Sequence, residues 1–79
     1  YALMLGKALR EMGQPKQATY HLLDAVHSRR HRAESCGEMA RAASDMGDRA
    51  AAGRLARTAL GFEPENHQYR LLARQFSDA

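Results

Sequence analysis

The chain has one cysteine, no tryptophan, no isoleucine and two prolines in 79 residues. Each shortage excludes something. A lone Cys36 cannot close an internal disulfide, and it leaves neither a CxxC pair nor zinc-finger spacing, so the redox compartment stays open. A single valine, Val26, and two threonines stand against many Ala, Leu, Arg, Glu, Gln and Met. Strand formers are therefore scarce and helix formers abundant, which points to an all-α fold. The longest apolar run covers only residues 2–5, far short of the roughly 20 residues of a spanning helix. The expected chain is soluble, with the cytoplasm slightly favoured over the periplasm, and because residue 1 is Tyr and the first residues already belong to a helical pattern, the segment reads as cut from a longer protein.

Charge excludes less. The formal net charge is +3, with twelve Lys and Arg against nine Asp and Glu. The two signs are interspersed, as on an ordinary solvated helical surface, and such a balance does not demand nucleic acid. The weight of alanine and arginine suits a bacterium with a GC-rich genome.

What the sequence does have is a repeat. At an offset of 34, Ala8 aligns with Ala42, Met12 with Met46, Gly13 with Gly47, Ala18 with Ala52 and Ala25 with Ala59. Lys7 and Arg41, Glu11 and Asp45, Leu5 and Met39, and Val26 and Leu60 pair as chemical equivalents. Within copy one, Leu5, Leu9 and Met12 share one helical face, and Ala18, Leu22 and Ala25 share another at i, i+4, i+7. Gly13-Gln14-Pro15 reads as a short turn, with Gly ending one helix and Pro starting the next. Gly47-Asp48 repeats it, with Asp48 as an N-cap. Small residues at Gly6, Ala8 and Ala18 allow the two helices of a hairpin to approach closely. Gly61 is expected to close a fourth helix, and Pro64 with Glu65 to open a fifth. That helix carries Tyr69, Leu72, Ala73 and Phe76 on one face.

The spacing of Leu5-Gly6, Leu9, Gly13, Ala18, Leu22 and Ala25 resembles the tetratricopeptide signature, whose period is about 34 residues. The second copy shows it as Met39-Ala40, Ala43, Gly47, Ala52, Ala56, Ala59 and Pro64. Ala2 and Cys36 stand where the family has an aromatic. The resemblance implies an α-solenoid: repeat one over about 1–32, repeat two over about 33–66, and a capping helix over about 65–77. Arg74 stands where earlier copies have Gly6 and Ala40, which suits a helix with a wet outer face at the end of an array. Because about three repeats are normally needed for stability, the segment reads as the C-terminal part of a longer array, or as one that self-associates through its first helix pair.

In this family the first helices of each pair line a concave groove that holds a peptide or a partner's helix. The resemblance carries that role to Leu3, Met4, Lys7, Arg10 and Glu11, then Glu38, Arg41, Ser44 and Asp45, then Gln68, Leu72 and Gln75. The carboxylate clamp of chaperone cofactors is absent, its positions reading Leu3, Lys7, Glu38, Gln68 and Leu72. The implied function is a protein-interaction module with a protein or peptide partner; the alternative is a purely architectural or oligomerising segment with no groove ligand. No catalytic triad, metal set or cofactor motif stands out, so neither enzyme activity nor a cofactor is expected.

The run His27-Ser28-Arg29-Arg30-His31-Arg32 is basic, and cations there complement the negative end of a helix. It has no interleaved aromatic on which bases would stack, so nucleic acid is not the expected partner. His27 and His31 have the i, i+4 spacing of a helical zinc pair, but Glu34 alone is a candidate further ligand at helical spacing on that face, so no metal site is expected. Cys36 reads as a small core residue. Tyr1, Tyr20, Phe62, Tyr69 and Phe76, with Met4, Met12, Met39 and Met46, read as packing residues.

Overall fold

Two glycines set the outline of the chain. A computed structural model describes residues 2–76, and in it only Gly13 and Gly47 have positive φ, at 79° and 81°. Helix α1 (Ala2–Glu11) ends where the N–H groups of Gly13 and Gln14 turn back to the carbonyls of Arg10 and Leu9, at 3.0 and 2.9 Å. Helix α3 (Arg32–Asp45) ends identically, Gly47 and Asp48 donating to Ser44 and Ala43, both at 2.9 Å. This is the Schellman closure, which needs a left-handed residue and so favours glycine. The repeat in the sequence is thus a repeat in the backbone.

Each turn launches a second helix. Pro15 is the first residue of α2 (Pro15–Val26), where its missing N–H costs nothing. Asp48 caps α4 (Arg49–Phe62), its carboxylate accepting from the Ala51 N–H at 3.0 Å. The fifth helix, α5 (His67–Gln75), starts later than expected. Residues 63–66 form a turn closed by the Asn66 N–H donating to the Glu63 carbonyl at 3.0 Å. Asn66, not Pro64, opens the helix by accepting from the Tyr69 N–H at 3.2 Å. Gly61 does not close α4, which runs through it to Phe62 in ordinary helical geometry. The expected end of the capping helix at residue 77 lies outside the described residues, as does Tyr1.

The five helices pack consecutively into an all-α compact domain, with no strand among the described residues. Helix α3 lies between α2 and α4 and also reaches α1, so its faces are covered nearly all round. Cys36, Met39, Ala40, Ala42 and Ala43 are all buried there. One apolar cluster joins Leu3, Leu9, Ala18, Leu22, Ala25, Cys36 and Met39. A second joins Ala40, Ala43, Ala52, Ala56, Leu72, Ala73 and Phe76, with Leu55 and Leu60 packed against both. Leu22 is the largest fully buried side chain, worth about 1.5–3 kcal/mol of burial. The close approach of α1 and α2 depends on Gly6: a Cβ there would lie 2.5 Å from Leu22 Cγ and Cδ2 and 3.3 Å from the Ala18 carbonyl oxygen. The face Tyr69, Leu72, Ala73 and Phe76 of α5 is buried as expected.

Not every apolar side chain is core. Of the methionines only Met39 is buried; Met4, Met12 and Met46 are exposed. Met12 and Met46 follow the last residues of α1 and α3, in the Schellman turns, where the chain leaves the packed face. Tyr20 and Phe62 are exposed as well. Phe62 lies under the Arg32 guanidinium, 5.2 Å from the ring centroid, a cation–π contact.

Candidate functional site

The side chains singled out as groove residues fall on α1, α3 and α5. Lys7 and Arg10 project from the flank of α1 that meets α3, one turn apart. The Lys7 ammonium donates to Glu34 Oε2 at 3.0 Å. Arg10 donates through Nε to Glu38 Oε1 at 3.2 Å and through Nη1 to Asp45 Oδ2 at 3.4 Å. From within α3, Arg41 Nη1 donates to the other oxygen of Glu38 at 2.9 Å. Glu38 is buried and bridges two guanidinium groups, so its carboxylate keeps partners in place of the water it has lost.

This cluster is an interhelical tie. The Lys7–Glu34 pair is half-exposed on both sides and contributes about 0–1 kcal/mol. Glu34 holds the Lys7 pKa above its ordinary value, by hydrogen bond first and by charge second. The Glu38 pairs are less exposed, and their loss leaves Arg41 without its carboxylate and Arg10 with Asp45 alone. Lys7, Arg10 and Arg41 face four carboxylates, those of Glu11, Glu34, Glu38 and Asp45, so this face is slightly acidic within a chain of net +3. Its cations are already neutralised from inside the molecule.

Of the other groove residues, Met4, Glu11 and Gln75 are exposed and Ser44 is half-buried. Leu72 and Leu3 are buried in the two apolar clusters, and Glu38 is buried under Arg10 and Arg41, so these three present little surface to a ligand. Gln68 on α5 is exposed.

Glu34 was not among the expected groove residues and entered only as a further ligand for the His27–His31 pair, although its charge sits one turn from Glu38 on the same helix. Ser35 was not singled out. Fully buried, it donates its hydroxyl to the Leu22 carbonyl and so joins α3 to α2. The basic run is not a helix: α2 ends at Val26 and α3 begins at Arg32. His27 and His31 therefore lie on the link and lack the i, i+4 helical geometry of a zinc pair. Arg32 donates to the Val26 carbonyl at 3.4 Å besides covering Phe62, and so braces the ends of α2 and α4. Burial raises the Cys36 thiol pKa, partly opposed by Arg32. Burial also pushes the Tyr69 phenol up to about 12. Among the described residues, no three His, Cys, Asp or Glu side chains converge as metal ligands, and no helix is long and apolar enough to cross a membrane.

Comparison of the chain with protein-family models, with curated proteins and with solved structures finds no match.

Proposed function

We propose that the chain is a tetratricopeptide-like helical-repeat segment that works by binding, holding a neutral or basic segment of a partner protein along the face of α1, α3 and α5. The observation that carries this reading is the charge state of that face. Lys7, Arg10 and Arg41 are satisfied by Glu34, Glu38 and Asp45, while Glu11 and the exposed edge of Asp45 leave a small acidic excess beside the apolar Met4. Such a surface attracts cationic or neutral peptide and repels carboxylates, in keeping with the absent clamp. The recurrence of one Schellman-closed hairpin at an offset of 34 supports the solenoid architecture on which the groove depends.

The test is capture of partners on the immobilised chain, beside a Glu11→Lys/Asp45→Lys variant whose helicity is checked by circular dichroism. A folded variant that loses a partner, with the captured protein binding more weakly as salt rises, supports the groove. Equal capture by both forms rejects it.

A second reading is architectural, and a specific observation favours it. The same ion pairs commit the groove cations to tying α1 to α3, as a stacking device between successive hairpins would. In that case the chain spaces or joins larger parts, and the Glu11→Lys/Asp45→Lys variant behaves like the parent.

A further inference from the structure

The two layers of the fold treat their cations oppositely. The Cα trace measures 30 × 27 × 16 Å, two helices thick. Helices α1 and α3 touch one another, and each is backed by the second helix of its hairpin, α2 or α4. Arg32, bonded to the Val26 carbonyl and seated over Phe62, holds the ends of α2 and α4 together. In the α1/α3 layer Lys7, Arg10 and Arg41 are all paired with carboxylates. The α2/α4 layer and its link, residues 15–32 and 49–62, hold seven of the twelve Lys and Arg but only one of the nine acids, Asp24. Asp48 and Glu63 flank α4 and are engaged, Asp48 as its cap and Glu63 by the Asn66 amide at 3.0 Å. Lys16, Arg29, Arg30, Arg54 and Arg57 are exposed and have no ion-pair partner among the described residues. Both repeats leave this surface open. At the offset of 34, Tyr20 corresponds to Arg54 and Leu23 to Arg57, and all four are exposed. The opposite faces of the same helices, Ala18, Leu22 and Ala25 and their counterparts Ala52, Ala56 and Ala59, are buried. Helix α4 keeps its outer face open although a hairpin precedes it, and α2 although one follows, so a neighbouring hairpin on either side leaves the surface free.

We propose that the outer surface of α2 and α4 rests on an anionic lipid membrane. Tyr20 is 72% and Leu23 54% exposed, and they stand at the middle of α2 on one stripe with Lys16 before them and His27 after, about 16 Å from end to end. Arg54 and Arg57 lie at the equivalent level of α4, and Arg29 and Arg30 at the edge where α2 ends. Apolar tips ringed by cations suit the boundary of a bilayer: Leu23 and the Tyr20 ring enter the headgroup layer while the arginines meet phosphate and carboxylate groups. The spread of the cations over a broad face of a thin molecule favours a planar partner, since a single extended peptide would reach only one stripe. A nucleic-acid backbone offers Leu23 no apolar partner, and Phe62 is covered by Arg32, so bases would have Tyr20 alone to stack on. No helix among the described residues is long and apolar enough to cross a membrane, so the contact is peripheral. It uses the layer opposite the groove and is independent of any groove ligand.

The test is sedimentation of the chain with vesicles. It is expected to pellet with vesicles of equal parts phosphatidylserine and phosphatidylcholine, less so as salt rises, and to stay in solution with phosphatidylcholine alone. Arg54→Gln/Arg57→Gln is expected to weaken binding about 25-fold, each cation near such a surface contributing about fivefold. Gln68→Glu/Gln75→Glu lowers the net charge by the same amount at exposed sites on α5 and is expected to bind like the parent. Tyr20→Ser/Leu23→Ser is expected to bind more weakly with its salt dependence kept. All these side chains are exposed, and circular dichroism checks that each variant keeps its helicity. Equal losses from the two charge-changing pairs would show attraction to net charge alone and overturn the face. Parent-like binding by Tyr20→Ser/Leu23→Ser would overturn the choice of lipid over other polyanions. A chain that ignores phosphatidylserine vesicles overturns the proposal, and does so equally if it binds a duplex or single-stranded oligonucleotide instead.

Discussion

A single methyl group added at Gly6 tests the hairpin packing most directly. In isolation, Gly→Ala inside a helix stabilises by about 0.5–1 kcal/mol, because alanine loses less backbone entropy. At Gly6 the new Cβ would meet Leu22 Cγ and Cδ2 at 2.5 Å and the Ala18 carbonyl oxygen at 3.3 Å. Leu22 is fully buried and cannot swing into solvent, so relief requires α1 and α2 to move apart. Overpacking of that kind costs about 1–3 kcal/mol, which outweighs the propensity gain. The net expectation for Gly6→Ala is a loss of about 1–2 kcal/mol, or about 5–15 °C in Tm for a domain of this size. Gly61→Ala is the matched control: Gly61 lies within α4 and a Cβ there meets nothing within 4 Å. It is expected to raise Tm by a few degrees, through about 0.5 kcal/mol of propensity. Thermal melts followed by circular dichroism at 222 nm measure both. A Gly6→Ala chain at least as stable as the parent would refute the close packing of α1 on α2.

Asp48→Ala removes the cap of α4 and Asn66→Ala that of α5; each is expected to cost about 1 kcal/mol in urea denaturation, within the usual range for lost N-caps. Glu38→Gln is expected to destabilise by about 1–2 kcal/mol, because two part-buried arginines lose a shared carboxylate. Glu34→Gln, at a half-exposed pair, should cost less than about 1 kcal/mol, so equal losses would contradict the burial of Glu38. The Tyr69 phenol, pushed up to about 12 by burial, favours its neutral form in the folded chain. Its contribution is complete below the ordinary phenol pKa of about 10 and is lost as pH rises from 10 to 12. The stability advantage of the parent over Tyr69→Phe should shrink across that window, and a constant difference in urea midpoints would speak against a buried phenol.

The features legible in the sequence were those written within a few residues. Gly13 and Gly47 in left-handed turns, Pro15 at a helix start, Asp48 as a cap and the stripe Ala18-Leu22-Ala25 each arise from local backbone geometry or a single helical period. The start of α5 was misplaced because two local signals compete there. Pro64 suits the first turn of a helix, yet the turn that Asn66 closes on Glu63 absorbs Pro64 and Glu65, and Asn66 then caps α5 itself. Gly61 misled because a glycine late in a helix can end it or simply lie within it.

The candidate site was legible as a set of positions and not as a set of states. From spacing alone, Lys7, Arg10 and Arg41 looked like charges free to meet a ligand. In the fold, α3 brings Glu34, Glu38 and Asp45 against them, about one repeat away in sequence, and no local pattern encodes that meeting. Likewise Met4 and Met39 are equally apolar, but Met39 is enclosed within the central cluster while Met4 is exposed among the described residues. The sequence by itself determined five helices, their turns and their repeat, because hydrogen bonding and side-chain periodicity act over one or two turns. Which face of each helix is covered, and which charges find a partner, only the tertiary structure decided, because burial and ion pairing depend on what the rest of the chain places alongside.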